Sequence, residues 1–213
     1  MALLKKFDLS GREVGSVEMV DSSLDLTVNG QLIKDYIVAL RRNARQWSAN
    51  TKGRSEVWRT GKKPHPQKGQ GRSRQGCVAA PQYKGGGIVF GPKPKFDQHV
   101  RINRKERKAA IRFLIAEKVR ENRVSVLQSS DFDAPKTSRM ANFFKTVQID
   151  GRRVLILGEP ETTQPEMLLS MRNLPRKDLG WISQVNGYDL ACCQELVILD
   201  TALDQFLNLM SPV

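Results

Sequence analysis

The sequence predicts an α/β protein, in which a mostly parallel sheet is covered by helices on both faces and a long extended basic loop is inserted between two helices. Strand-like and helix-like segments alternate through the second half of the chain, which is typical of a parallel sheet. The apolar runs 154–158 and 196–199 are continuous, as in strands buried on both faces. No leucine occurs between Leu40 and Leu114, so this stretch has little with which to build a core.

The first half of the chain predicts one strand and two helices. Loose alternation over 14–20 indicates a strand, and apolar spacing predicts a helix over 30–45. The basic last turn of that helix suits a helix C-terminus. A second helix is predicted over 104–122. Its apolar face is formed by Ala110, Ile111, Leu114, Ile115 and Val119.

The second half predicts strands and helices in alternation. The predicted strands are 124–127, 154–158, 181–185 and 196–199. The predicted helical segments are 134–146, 165–172, 187–192 and 201–210. Such alternation favours a parallel sheet with helices on both faces.

Composition limits the classes of protein that are possible. The chain has 213 residues, a net charge of +13 and a pI near 10.0, which fits one domain with or without an appendage. No apolar run is long enough to span a membrane. The N-terminal residues do not resemble a secretory signal or a transit peptide. Three cysteines, two of them adjacent, do not form a disulfide framework, so we expect a reducing cytoplasm.

The positive charge is concentrated in one part of the chain. Residues 41–108 hold 19 Lys and Arg but 3 Asp and Glu, a net charge of +16. The remaining residues hold 16 basic and 19 acidic groups, a net charge of −3. A concentrated positive charge of this size predicts binding to a polyanion.

The basic segment divides the chain into a globular α/β domain, 1–46 with 101–213, and an extended RNA-binding loop, 47–100. The loop has few large apolar side chains and many Gly and Pro residues. Ordering it would cost on the order of 50–100 kcal/mol, which the burial of so few side chains does not offset. We therefore expect the loop to be mobile in the free protein and to be ordered by a partner.

The sequence contains no recognisable catalytic or metal-binding cluster. The glycine-rich segments 61–63 and 69–74 match neither a P-loop nor a dinucleotide fingerprint. His65 and His99 stand apart, and Cys77 is the nearest thiol to them, so no metal site is expected. We expect no cofactor and no enzymatic activity.

Basic and aromatic residues interleave along the loop. Lys and Arg neutralise phosphates, and aromatic rings stack on unpaired bases. Packing within the loop is the alternative role for its aromatic side chains, which are Trp47, Trp58, Tyr83 and Phe90. The candidate RNA-binding residues are Arg42, Arg45, Trp47, Lys52, Arg54, Trp58, Arg59, Lys62, Lys63, Lys68, Arg72, Arg74, Tyr83, Lys84, Lys93, Lys95, Arg101, Arg104 and Lys105.

This stretch resembles large-subunit ribosomal protein four, the L-four family, in its bacterial form. The matching blocks are 54–57, 61–64, 67–69, 71–74 and 85–94. The resemblance implies a structural, non-enzymatic protein that binds large-subunit ribosomal RNA and supports early subunit assembly. Its implied partners are that RNA, neighbouring ribosomal proteins including large-subunit protein twenty-two, and the nascent polypeptide in passing.

The resemblance also implies that the loop tip lines the nascent-peptide exit tunnel. The tip residues would be Gly61, Lys62, Lys63, Pro64, His65 and Gln67. The family usually has an aromatic residue in place of His65 and an arginine in place of Pro66. Two alternatives remain open, which are repression of the protein's own messenger through its leader and, less favoured, an α/β enzyme tethered to RNA.

Overall fold

The computed structural model describes residues 2–20, 24–94, 99–128 and 135–211. The chain divides into two compact units. We call Met1–Arg41 with Arg101–Val213 the body, and Arg42–Val100 the insert.

The strands are β1 (Ala2–Phe7), β2 (Glu13–Met19), β3 (Val124–Leu127), β4 (Val154–Gly158), β5 (Lys177–Trp181) and β6 (Glu195–Leu199). The helices are α1 (Gly30–Asn43), α2 (Arg104–Arg120), α3 (Thr137–Thr146), α4 (Pro165–Met171), α5 (Gly187–Cys192) and α6 (Leu203–Met210). Short 3₁₀ turns lie at Ile182–Gln184 and Asp200–Ala202.

The strands form one sheet in the order β2-β1-β3-β6-β4-β5. Only the β1–β2 pair is antiparallel, and the other neighbours are parallel. Every residue of β4 and of β6 is buried. Because successive side chains of a strand point to opposite faces, both faces of the sheet are covered at its centre. The predicted α/β fold class is confirmed.

Helix α2 buries the residues that its periodicity predicts. All five residues of the predicted apolar face of α2 are buried. In α1 the Tyr36 side chain is buried, and its hydroxyl oxygen accepts a hydrogen bond from the N–H of Gly187 at 3.3 Å. This contact joins α1 to the first residue of α5. Among the described residues, no helix is long and apolar enough to cross a membrane.

Strand β1 was not predicted from the sequence. Its residues Lys5 and Lys6 interrupt the apolar pattern, which conceals the strand. Leu4 is buried, whereas the ammonium of Lys6 lies 3.0 Å from the carboxylate of Asp200. Hydrogen bonding to β2 on one side and to β3 on the other, rather than an apolar run, therefore stabilises β1.

The predicted strand over 181–185 is wrong. The strand is β5, four residues earlier, and Ile182–Gln184 forms a 3₁₀ turn. The strand begins at the charged Lys177, whose buried ammonium donates hydrogen bonds of 2.7–2.8 Å to three carbonyl oxygens within 149–152. Burial lowers the pKa of Lys177. A charged residue that is solvated by distant carbonyl groups leaves no local signal for a strand.

Five helix boundaries also differ from the prediction, and among them the C-terminal ends of α1, α2 and α4 come one or two residues early. The closing helix predicted over 201–210 begins as a 3₁₀ turn and becomes helix α6 at Leu203. Helix α3 begins at Thr137, and Ala134, where it was predicted to begin, lies outside the described residues.

Candidate nucleic-acid interface

After the end of α1 at Asn43, the described residues of the insert form no helix or strand, and backbone hydrogen bonds hold them together. The N–H of Thr51 donates to the carbonyl of Pro92 at 2.9 Å, and the N–H of Ile88 donates to the carbonyl of Lys52 at 3.0 Å. The N–H of Gly87 donates to the carbonyl of Ala79 at 2.9 Å. We call these joined stretches, 51–57 and 77–93, the junction.

The two ends of the insert meet at one side chain. The Asn43 amide donates to the carbonyl of Val100 at 3.0 Å and accepts from the N–H of Val100 at 2.8 Å. The ring of His99 contacts the carbonyl of Asn43 at 3.1 Å. These contacts close the segment between Asn43 and Val100.

Several glycines of the junction leave no space for a side chain. A Cβ on Gly86 would overlap the carbonyl of Ala80, and a Cβ on Gly87 would overlap the backbone of Arg54. By contrast, a Cβ on Gly61 or Gly76 would meet nothing within 4 Å. The junction glycines thus allow the insert to approach its own backbone closely.

Glu56 is the only acidic residue in the described part of the insert. Its carboxylate forms an ion pair with Lys93 and accepts the N–H of Gly53 at 2.8 Å. The hydrogen bond from Lys93 and then that from Gly53 lower the pKa of Glu56. Glu56 therefore crosslinks the two sides of the junction while its negative charge is neutralised.

The candidate basic residues are exposed to solvent wherever they are described. Those in the insert are Arg42, Arg45, Lys52, Arg54, Arg59, Lys62, Lys63, Lys68, Arg72, Arg74, Lys84 and Lys93, and those in the body are Arg101, Arg104 and Lys105. Lys95 lies outside the described residues. The exposed cations leave the insert strongly electropositive, since Glu56 offsets only Lys93 among them.

The four aromatic residues of the insert separate into two groups. Trp58 and Phe90 are 99% and 103% exposed. Trp47 and Tyr83 are half-buried, and the guanidinium of Arg42 lies 5.7 Å from the ring centroid of Trp47. Trp58 and Phe90 are therefore available to a partner, whereas Trp47 already has a cation over its ring.

The candidate tip is a polar turn. Residues 61–64 and Gln67 are exposed, and His65 is half-buried. The ring of His65 contacts the carbonyl of Ser73 at 2.9 Å, and the ammonium of Lys63 donates to Gln67 at 2.5 Å. An open concavity of about 490 Å³ lies beside His65 and is also lined by Arg72 and Tyr83.

Cys77 of the junction lies in an environment that favours its thiolate. The backbone N–H of Ala79 and, to a smaller extent, the side chain of Arg54 lower its pKa. In the body, burial raises the pKa of the Cys193 thiol. The sequence alone indicates no role for Cys77. Arg54 comes close to its thiol only because hydrogen bonds join the two stretches of the junction.

The described residues bring together no metal-binding cluster. No group of three or more His, Cys, Asp or Glu side chains in this part of the chain could hold a metal ion. At the carboxyl end of β4, Glu159 contacts Gln205 rather than a second carboxylate. A Cβ on Gly158 would lie 2.6 Å from the hydroxyl oxygen of Thr163, so Thr163 occupies the space beside this residue at the edge where such sheets usually bind ligands.

An α/β body that carries a cationic insert defines a candidate polyanion-binding protein. The model of the Ribosomal protein L4/L1 family matches residues 17–208. The chain therefore belongs to the ribosomal protein L4/L1 family.

Curated relatives agree with this membership. A protein of Lachnospira eligens is 35% identical over 96% of this chain and 97% of its own length, and one of Lachnoclostridium phytofermentans has the same identity and coverage. A protein of Brevibacillus brevis is 32% identical over 92% of this chain and 93% of its own length. Each of these relatives is named "Large ribosomal subunit protein uL4".

Proposed function

We propose that the chain is a structural constituent of the large ribosomal subunit and that its insert binds large-subunit ribosomal RNA. The observation that carries this proposal is the exposure of the basic residues of the insert, where the one described acid, Glu56, is already paired. Family membership and the names of the relatives support the assignment to the large subunit. The protein acts in the cytoplasm, within the ribosome, and supports early subunit assembly.

Phosphate contact is the physical basis of the proposed binding. Each phosphate that a cation neutralises releases counterions, so the affinity falls as the salt concentration rises. The insert offers many such cations, and its described backbone after α1 forms no helix or strand. Such a surface suits folded RNA, whose phosphates follow irregular paths.

Substitution of five insert cations tests this function. We expect the joint change of Lys62, Lys63, Lys68, Arg72 and Arg74 to Gln to weaken binding of the full chain to a bacterial large-subunit RNA transcript. Each lost phosphate contact should reduce the slope of log affinity against log salt by about 0.7–0.9. Filter binding between about 50 and 200 mM salt measures this slope.

A body variant with the same change of charge is the control. The residues Arg12, Lys34, Arg139, Lys145 and Arg172 are exposed in the body, and their joint change to Gln removes the same net charge. We expect this variant to keep most of the wild-type slope. An equal loss of slope in both variants would show that binding depends on net charge rather than on the insert.

We further propose that the tip lines the nascent-peptide exit tunnel. The exposure of Lys62 and Lys63 and the open concavity beside His65 support this role. A photo-crosslinking amino acid at position 63 should crosslink to nascent chains in translating ribosomes. The same probe at Lys145 of the body should not, and crosslinking from Lys145 alone would contradict the assignment.

A further inference from the structure

A strained turn in the junction presents an aromatic side chain. The N–H of Ile88 bonds to the carbonyl of Lys52, and the carbonyl of Pro92 accepts both the N–H and the hydroxyl of Thr51. Phe90 lies between these two attachments. Its neighbour Gly91 has no space for a Cβ because Thr51 occupies it. The chain is therefore held on both sides of Phe90.

The backbone of Phe90 adopts a conformation that phenylalanine rarely takes. Its φ is +51°, in the left-handed region that disfavours residues with a Cβ. Such strain persists where the surrounding structure holds it, and it concentrates at functional positions. Attachment at Ile88 and Pro92 provides that support.

The strained backbone leaves the ring in solvent. Phe90 is 103% exposed, and the neighbouring Ile88 and Val89 are 55% and 59% exposed. Full exposure leaves both faces of the ring accessible. A contiguous apolar patch of this kind marks a surface that a partner covers.

The charges around this patch favour an anionic partner. The exposed Lys52 and Lys93 belong to the two stretches that hold the turn, and the exposed Arg54 follows two residues after Lys52. The nearby acid, Glu56, is paired with Lys93. Cations beside an exposed aromatic ring match the combination of phosphate and base that single-stranded nucleic acid presents.

We propose that Phe90 stacks on an unpaired base of the large-subunit ribosomal RNA while the neighbouring cations contact the adjoining phosphates. This inference rests on the proposed function and adds a specific role to it. An unpaired base is required, because base-paired A-form RNA hides its base faces within the helix. The hydrogen bonds at Ile88 and Pro92 hold the backbone on both sides of the exposed ring.

Replacement of Phe90 by Gly removes the ring and is compatible with a positive φ. We expect Phe90→Gly to reduce the affinity of the full chain for a large-subunit RNA transcript by about 5-fold to 150-fold, the range for loss of one stacked base. Phe90→Trp should keep the affinity within about threefold of the wild type, since a larger ring still stacks. Ser55→Ala is the control, at an exposed residue of the junction that belongs neither to the apolar patch nor to the cations, and it should have little effect.

The salt dependence separates stacking from a structural role. Stacking releases no counterions, so Phe90→Gly should lower the affinity equally at all salt concentrations and leave the slope unchanged. If the ring only supported the junction, its removal would also displace the phosphate-binding cations and reduce the slope. A reduced slope would therefore overturn the proposal.

A crosslinking probe identifies the partner. p-Benzoylphenylalanine at position 90, in assembled large subunits, should crosslink to ribosomal RNA at a nucleotide that is not base-paired, read as a stop in reverse transcription. A crosslink to a protein, or to a paired nucleotide, would overturn the proposal. If the wild type shows no salt-dependent binding, the proposed function itself fails. If the wild type binds and Phe90→Gly binds equally well, only the stacking role fails.

Discussion

At the scale of single residues, the glycines of the insert differ in what a side chain would meet. We expect Gly86→Ala to destabilise the junction, because the new methyl group would overlap the carbonyl of Ala80. Overpacking of this kind costs about 1–3 kcal/mol. Hydrogen exchange should detect it as faster exchange of the amides of Thr51 and Ile88, which bond across the junction.

Gly76→Ala is the matched control for that substitution. A Cβ on Gly76 meets nothing within 4 Å, so its amide exchange pattern should remain close to that of the wild type. Equal acceleration in both variants would show that the effect comes from loss of glycine flexibility rather than from overlap with Ala80.

The chemistry of individual residues was predictable from the sequence, but their exposure was not. Composition alone identified the cations of the insert as candidates for phosphate contact. It could not decide between stacking and packing for Trp58 and Phe90, because exposure depends on which stretches pair across the junction. The assignment of these residues to RNA stays a prediction.

At the scale of elements, the strands and helices that were predicted correctly are those that a local pattern of apolar residues marks. Strands β3 and β4 and helix α5 have the predicted limits, since apolar content or periodicity marks them locally. Strands β1 and β5 contain lysines whose charges are balanced by distant groups, Asp200 for Lys6 and backbone carbonyls for Lys177. Those contacts exist only in the folded chain, so no local pattern could reveal them.

The junction also depends on one charged contact. We expect Glu56→Gln to loosen it, since the substitution removes the ion pair with Lys93. In the wild type the pKa of Glu56 lies below its ordinary value. The stability that the Glu56 carboxylate gives to the junction is therefore fully present at a pH above the ordinary pKa of glutamate. It is lost as the pH falls through the lowered pKa of Glu56 in the folded chain.

Hydrogen exchange of the amides of Thr51 and Ile88 measures this change. At neutral pH, both amides should exchange faster in Glu56→Gln than in the wild type. A Gln substitution at Glu117, an exposed residue of α2, is the control and should change neither rate. Unchanged protection in Glu56→Gln would show that the backbone hydrogen bonds alone hold the junction.

At the scale of the whole molecule, the basic insert was the part of the candidate site that sequence could best reveal. Net charge is a sum over residues and does not depend on the fold, so the separation of +16 in 41–108 from −3 elsewhere was visible at once. Several hydrogen bonds that organise the insert join distant residues, such as Thr51 and Pro92, which are 41 positions apart. Local patterns carry no information about such pairs.

The thiol of Cys77 can report whether the insert is organised without RNA. In the arrangement described, Ala79 and Arg54 lower the pKa of Cys77. We therefore expect alkylation of Cys77 in the RNA-free chain to reach half its maximal rate below the ordinary thiol pKa of about 8.5. Mass spectrometry of iodoacetamide-treated protein across a pH series measures this half-maximal pH. The Arg54→Gln substitution should raise it.

Cys193 provides an internal comparison in the same sample. Burial raises the pKa of its thiol, so it should react slowly throughout the series. An ordinary midpoint for Cys77 would contradict the expectation and would instead support the sequence-based prediction that the loop is mobile until a partner orders it.

The clasp formed by Asn43 and Val100 has a consequence for how such a chain can change over evolutionary time. Because one amide holds the entry and exit of the insert together, the separation of these two points does not depend on how many residues run between them. Each doubling of the enclosed length adds only about 0.6 kcal/mol of closure entropy. The segment between Asn43 and Val100 can therefore lengthen or diverge in sequence at a small cost in stability.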